Sequence, residues 1–143
     1  MVDCVFCQII QKQVSASIIY EDEQVEAFLS NRPVNVGHTL VVPKKHYENI
    51  FDINEKEAVY LFTIVKRVAQ AVKDATAAEG IRIVQNNGVA AGQMIFHLHV
   101  HIIPLNPLNQ FNHDGTYRDP TQYRDHETLE KDAENIRRYL PIS

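Results

Sequence analysis

The stretch FHLHVHIIP, from Phe96 to Pro104, constrains the fold more than any other part of the chain. It sets His97, His99 and His101 at alternate positions, with Leu98, Val100 and Ile102 between and after them. In a strand, residues i, i+2 and i+4 point to one face, and β-branched residues favour that conformation. The predicted strand therefore has one face that belongs in a core. Its other face carries a row of imidazoles about 6–7 Å apart. Three of the chain's seven histidines fall within five residues, so the second face needs a chemical or a packing reason.

The rest of the chain supplies a sheet to flank that strand and a helix to cover it. SIIYED and QVEAFLS read as consecutive strands around an acidic turn at Glu21 to Glu23. NRPVNVG is a loop marked by Pro33 and Gly37. HTLVVP is a third strand, stopped by Pro43, with His38, Leu40 and Val42 on one face. Asn54 caps the clearest element, a long helix, with Glu57 three residues later as in a capping box. Ala58, Leu61, Phe62, Val65, Val68, Ala69 and Val72 form its apolar stripe, which is read as packing, and Gly80 is the expected stop. IRIVQNN is a fourth strand, GVAAGQ a small-residue loop and IFHLHVHIIP the fifth strand, antiparallel to the fourth. CVFCQII predicts a helical turn or two at the start of the chain. A last helix is expected from Asp125 to Tyr139, with Leu129, Ala133, Ile136 and Leu140 on one side. Leu105 to Arg124 reads as irregular. The expected fold class is α+β: a five-stranded, mostly antiparallel sheet with one long packed helix and short terminal helices. Residues 1–104 would form the core, and 105–143 a C-terminal extension packed on the same domain.

A chain of 143 residues fits one domain. Its formal net charge of −4 argues against a broad nucleic-acid-binding surface, which needs clustered Lys and Arg, but leaves room for a small phosphorylated ligand. No apolar run approaches the roughly 18 residues of a membrane helix, so no membrane partner is expected. MVDCVFCQII has no basic segment ahead of an apolar one, and two cysteines make no disulfide framework. A cytoplasmic location is the default expectation.

Taken alone, the three histidines admit three readings: a partly exposed polar strand face, a zinc site, or a nucleophilic or acid–base centre. Phosphate chemistry suits the last, because imidazole attacks phosphorus and flanking imidazoles can donate to its oxygens. The preceding QNNGVAAGQ brings Gly88 and Gly92, which permit close backbone approach, and the neutral donors Asn86, Asn87 and Gln93. On its own that loop reads as a connector. Cys4 and Cys7 form a Cys-x-x-Cys pair that suits a redox couple, half a zinc site, or two buried small residues.

QNNGVAAGQMIFHLHVHIIP resembles the signature of the histidine triad (HIT) superfamily, and GHTLVVPKKH, from Gly37 to His46, resembles its second block. CVFCQII with YEDEQVEAFLS is similar to its N-terminal region. The resemblance runs from about Cys4 to Pro104 and leaves the tail uncovered. It implies a protein that binds nucleotides and hydrolyses or transfers nucleoside monophosphate groups, and a homodimer whose paired sheets are continuous.

Residue by residue, the resemblance implies His99 as the nucleophile, starting neutral, with His101 beside it and His38 on the adjacent strand orienting the phosphate or assisting the leaving group. Asn86 and Gln93 would contact the phosphate, helped by backbone N–H groups from Gly92 to Ile95. No metal would be required for catalysis. A purine nucleotide or nucleotide conjugate would lie in a slot lined by Phe6, Ile9, Phe28 and Leu40, residues that equally fit an ordinary core. Ser30 and Asn31 fall where relatives often carry an acid that holds the ribose, so ribose recognition here would be weaker. Met94 replaces a hydroxyl residue of some relatives. Bacterial-type members join the cysteine pair to a histidine after PKK and to the first triad histidine, which are His46 and His97 here. This implies one structural zinc per chain on Cys4, Cys7, His46 and His97. The expected activity is Hint-like cleavage of nucleoside phosphoramidates or related nucleotidyl conjugates through a nucleotidyl-histidine intermediate. The alternatives are a dinucleoside polyphosphate hydrolase, a non-catalytic nucleotide sensor and, more remotely, a zinc buffer.

Overall fold

Asn54 starts the long helix as the sequence predicts. In the computed structural model, which describes residues 3–107 and 124–140, its side chain accepts from the Glu57 N–H at 2.8 Å and its amide donates to the Glu57 carboxylate at 2.9 Å. The second helix, α2 (Glu55–Thr76), ends at Ala77 in a left-handed conformation, φ 55° and ψ 31°. Gly80 is thus not the stop; it begins a strand instead. The buried face of α2 is Leu61, Ile64, Val65, Val68, Ala71 and Val72. Phe62 is 40 % exposed, so the apolar stripe lies about one residue further round than predicted. Asn54→Ala is expected to cost about 1 kcal/mol of stability, the usual value of an N-cap. Urea denaturation of the two proteins measures it.

The strands are β1 (Ile18–Glu21), β2 (Val25–Leu29), β3 (Thr39–Pro43), β4 (Gly80–Val84) and β5 (Val100–Leu105). They form one antiparallel sheet in the order β1-β2-β3-β5-β4. Both predicted strands around the glycine loop prove shorter. Gln85 and Asn87 leave the ladder because their amides bond each other, at 2.7 and 2.8 Å. β5 begins only at Val100, since the Leu98 N–H goes to the Tyr47 carbonyl at 2.7 Å rather than to a neighbouring strand. The two-faced pattern nevertheless holds beyond the ladder. Leu98, Val100 and Ile102 are wholly buried in the core under α2.

The other face of the sheet is covered by α1 (Val5–Ile10), which buries Phe6 and Ile9 against Phe28, Leu40 and Val42. The last helix, α3 (His126–Arg137), is capped by Asp125 and ends two residues before the expected Tyr139. Leu129, Ala133 and Ile136 join the main core, with Leu140 packed against it. Most of the predicted irregular stretch, 108–123, lies outside the described residues, but Leu105 belongs to β5.

Candidate active site and metal centre

His97 and His99 share the α1 face of the sheet with His101, and both pack edge-on against Phe6, at ring-centroid distances of 6.0 and 5.1 Å. The row then separates. The His97 Nδ1 faces the N-terminal cysteines, 3.4 Å from Cys4 Sγ, 3.5 Å from Cys7 Sγ and 3.1 Å from His46 Nδ1. Cys7 Sγ lies 3.3 Å from His46 Nδ1. All four ligand atoms are within 4.8 Å of one another. Zinc bonds of about 2.0–2.3 Å set the edges of a tetrahedron at roughly 3.5 Å, and these contacts match that size. Burial and the neighbouring Cys4 push the Cys7 thiol up to about 11, whereas a divalent cation between the sulfurs would favour the thiolates. The donor set thus fits zinc in number, kind and spacing. The other ring nitrogen of His97 donates to the Pro43 carbonyl at 2.8 Å, an anchoring bond of the kind that orients metal-bound histidines.

His99 takes a different position. Its Nδ1–H donates to the His97 carbonyl oxygen at 2.7 Å. That bond fixes the tautomer and leaves the Nε2 lone pair unprotonated. Burial lowers the His99 pKa, so the ring is neutral at pH 7 as a nucleophile requires. A second relay sets the direction of His101. The Val34 N–H donates to His38 Nδ1 at 3.0 Å, so His38 must carry its proton on Nε2, which lies 3.0 Å from His101 Nδ1. His101 in turn must carry its proton on Nε2. Two neutral rings in series therefore present one N–H donor beside one imidazole lone pair, with the His99 and His101 ring centroids 4.9 Å apart.

Burial, then the neighbouring His101, pushes His38 down to about 3, and burial, then His99, pushes His101 down to about 4. A histidine depressed in the folded state binds its proton first in the unfolded chain, whose value is near 6.5. Its contribution to stability is therefore intact above pH 6.5 and is lost as the pH falls toward 3–4. We expect the urea midpoint to fall between pH 7 and 4, and to fall less steeply in His38→Asn; parallel pH curves for the two proteins would remove the histidines from the account.

His99 and His101 open into a cleft of about 580 Å³. Phe6, Ile9, Phe28, Leu40, Ser30 and Asn31 line it together. His38 lies behind His101, 6 % exposed. Asn86 and Gln93 are not among the lining residues. The Gln93 amide accepts from the Gly88 N–H at 2.8 Å and donates to the carbonyls of Glu48 and Ile95, so it braces the glycine loop against the Glu48 turn. Gly88 and Gly92 take φ near +90°, and the amides of Gly92 and Gln93 are used within the turn. Sequence reasoning missed several lining residues, Ser17, Arg124 and His126 among them. Arg124 reaches the cleft because its N–H bonds the Asn31 carbonyl at 3.2 Å, a contact across 93 positions that no local pattern signals.

A family model, described as the HIT domain, matches residues 11–108. An uncharacterized HIT-like protein of Saccharolobus solfataricus is 48% identical over 101 residues, which are 71% of this chain and 73% of that protein. Among solved structures, a hypothetical histidine triad nucleotide-binding protein from Sulfolobus tokodaii superposes with a TM-score of 0.85 at 40% identity, covering 95% of this chain and 91% of its own. A zinc-bound histidine triad family protein from Mycobacterium smegmatis gives a TM-score of 0.80 at 31% identity, covering 96% and 92%.

Proposed function

Because this chain belongs to the HIT domain family, we propose that its cleft is the site of a nucleotide hydrolase that cleaves nucleoside phosphoramidates or related nucleotidyl conjugates at the α-phosphorus. The observation that carries this reading is the His97 carbonyl holding the His99 Nδ1 proton at 2.7 Å, which leaves Nε2 as a lone pair at the cleft. Nε2 attacks the phosphorus, a P–N bond to His99 forms, and the bond to the leaving group breaks in line with it. The His101 Nε2–H, oriented through His38, donates to a phosphate oxygen or to the leaving atom as charge develops there. Water then attacks the nucleotidyl-histidine, the P–N bond breaks and His99 regains its lone pair. Over the cycle one water is added, its hydroxyl to phosphorus and its hydrogen to the leaving group. No step requires a metal.

The nucleoside lies between Phe6, Ile9, Phe28 and Leu40, an apolar slot that accepts a purine, with Ser30 and Asn31 near the ribose. Zinc on Cys4, Cys7, His46 and His97, one per chain, is structural: it ties α1, which carries Phe6 into the cleft, to the start of the histidine segment. The Sulfolobus structure, that of a hypothetical histidine triad nucleotide-binding protein, and the zinc-bound Mycobacterium one support the two halves of this reading. A homodimer in the cytoplasm completes it; β4 ends the sheet, and its outer edge is open to a second copy among the described residues.

The test is AMP release from adenosine 5′-phosphoramidate, followed by chromatography, with mass spectrometry of enzyme denatured during turnover. AMP and a nucleotidyl adduct on His99 are the expected products. An enzyme that binds AMP but releases none from the phosphoramidate is a nucleotide sensor instead.

A further inference from the structure

The cleft has a second polar end, of which the reaction above uses only Ser30 and Asn31, near the ribose. Ser17, Ser30, Asn31, Arg124 and His126 line it together. Short bonds lock their backbones: the Ser17 carbonyl accepts from the Leu29 N–H at 3.0 Å, the Ser30 N–H donates to the His38 carbonyl at 2.9 Å, and the Asn31 carbonyl accepts from the Arg124 N–H at 3.2 Å. Among the described residues no Asp or Glu lines the cleft, and the cationic or ionisable side chains that do are Arg124 and three histidines. Arg124 is preset. Its Nε and Nη2 pair with the Asp132 carboxylate at 2.8 and 3.1 Å, which fixes the plane of the guanidinium and, among the described residues, leaves its remaining N–H donors to another acceptor. Ser17, 2 % exposed, has a hydroxyl oxygen with no hydrogen-bond partner among the described residues. The Ser30 hydroxyl accepts from the Arg32 N–H at 3.2 Å and keeps its own hydrogen to donate.

The sheet register sets how far this end lies from the reacting phosphorus. His101 pairs with Leu40 and Leu40 with Phe28, so two strand spacings, about 10 Å, separate the histidine strand from β2. Ser30 lies just beyond the end of β2. With the α-phosphate at His99 and the base against Phe6 and Phe28, the group facing Ser30 and Arg124 is the sugar edge of the nucleotide. A guanidinium with further N–H donors binds an anion more strongly than a bare hydroxyl, because the hydrogen bonds are then charge-assisted on both sides.

We propose that this end is an anion subsite, and that the substrates are nucleoside 5′-phosphoryl conjugates carrying a second phosphate on the ribose, at the 2′ or 3′ position. The inference rests on the nucleotide reading of the cleft and names its substrate class. Arg124 supplies the charge and orientation, Asp132 positions it, and Ser30 and His126 add donors.

Calorimetric titration of the full chain with adenosine 5′-monophosphate, adenosine 3′,5′-bisphosphate and adenosine 2′,5′-bisphosphate tests it. One of the bisphosphates should bind at least about tenfold tighter than the monophosphate, and the two together tell which ring oxygen carries the phosphate. The advantage should shrink as salt rises, disappear in Arg124→Gln and survive in part in Arg124→Lys. Equal affinities for all three ligands overturn the subsite and leave the nucleotide site standing, and so does an advantage that persists in Arg124→Gln. So does a fall in Arg124→Gln that is the same for monophosphate and bisphosphate, since Arg124 would then only hold the cleft together. Failure of the monophosphate itself to bind overturns the nucleotide reading, and the subsite with it.

Discussion

Replacing His99 with alanine is expected to lower kcat/KM for adenosine 5′-phosphoramidate by about four orders of magnitude or more, the scale on which enzymes lose activity when the nucleophile is removed. The size of the effect follows from what the ring alone provides. Its Nε2 is the one lone pair that the bond to the His97 carbonyl keeps in place at the cleft. Flanking groups cannot replace it, because His101 is turned by His38 to present an N–H at its far side. His101→Ala should cost less, about two to four orders of magnitude, since it removes a donor and not the attacking atom. Steady-state kinetics with near-ultraviolet circular dichroism as a fold control measure both. A His99→Ala enzyme with more than a tenth of the wild-type rate would assign the nucleophile to another group.

Chelation of zinc, or Cys7→Ala, is expected to have the largest effect on stability. Structural zinc binds with about 10–16 kcal/mol in small peptides, and only part of that is needed to dominate a domain of ordinary stability. The melting temperature should fall by at least about 10 °C. The location of the cluster explains the expectation. Cys4 and Cys7 sit at and within α1, His46 follows β3, and His97 precedes β5, so one ion would tie three separate segments together. Without it, the buried Cys7 and His97 and the half-buried Cys4 face one another and the exposed His46 across 3.1–3.5 Å. Atomic emission of the purified protein should give one zinc per chain, and none for Cys7→Ala. A protein free of zinc, with a melting temperature indifferent to chelator, would leave the cluster as plain packing.

Much of this arrangement is legible along the chain. The alternation from His97 to Ile102 puts the aliphatic residues under α2 and the imidazoles on the opposite face, because a strand has only two sides. The Asn54–Glu57 pair starts the long helix where it stands because capping is a local hydrogen-bond exchange. Its end is less legible. Ala77 takes the left-handed turn without a glycine, and the helix stops because the chain must turn into β4, which is a tertiary demand. Likewise Phe62 and Ile64 exchange faces relative to the predicted stripe, since which side of a helix is inward depends on what packs there.

By itself, then, the sequence determined the secondary elements with strong periodicity and the antiparallel order of the histidine strand and its neighbour, and its resemblance to the HIT family named the residues proposed for zinc and for attack on phosphorus. The first two follow from side-chain spacing, which is local. Only the tertiary structure decided how each ring is held and what it faces. His97 and His99 are two residues apart and chemically identical, yet one faces the cysteines and the other the cleft. The structure also drew Gln93 into bracing a loop and carried Arg124 to the cleft. Each of these outcomes depends on a hydrogen bond between residues brought together by folding, and a bond of that kind leaves no trace in the order of residues along the chain.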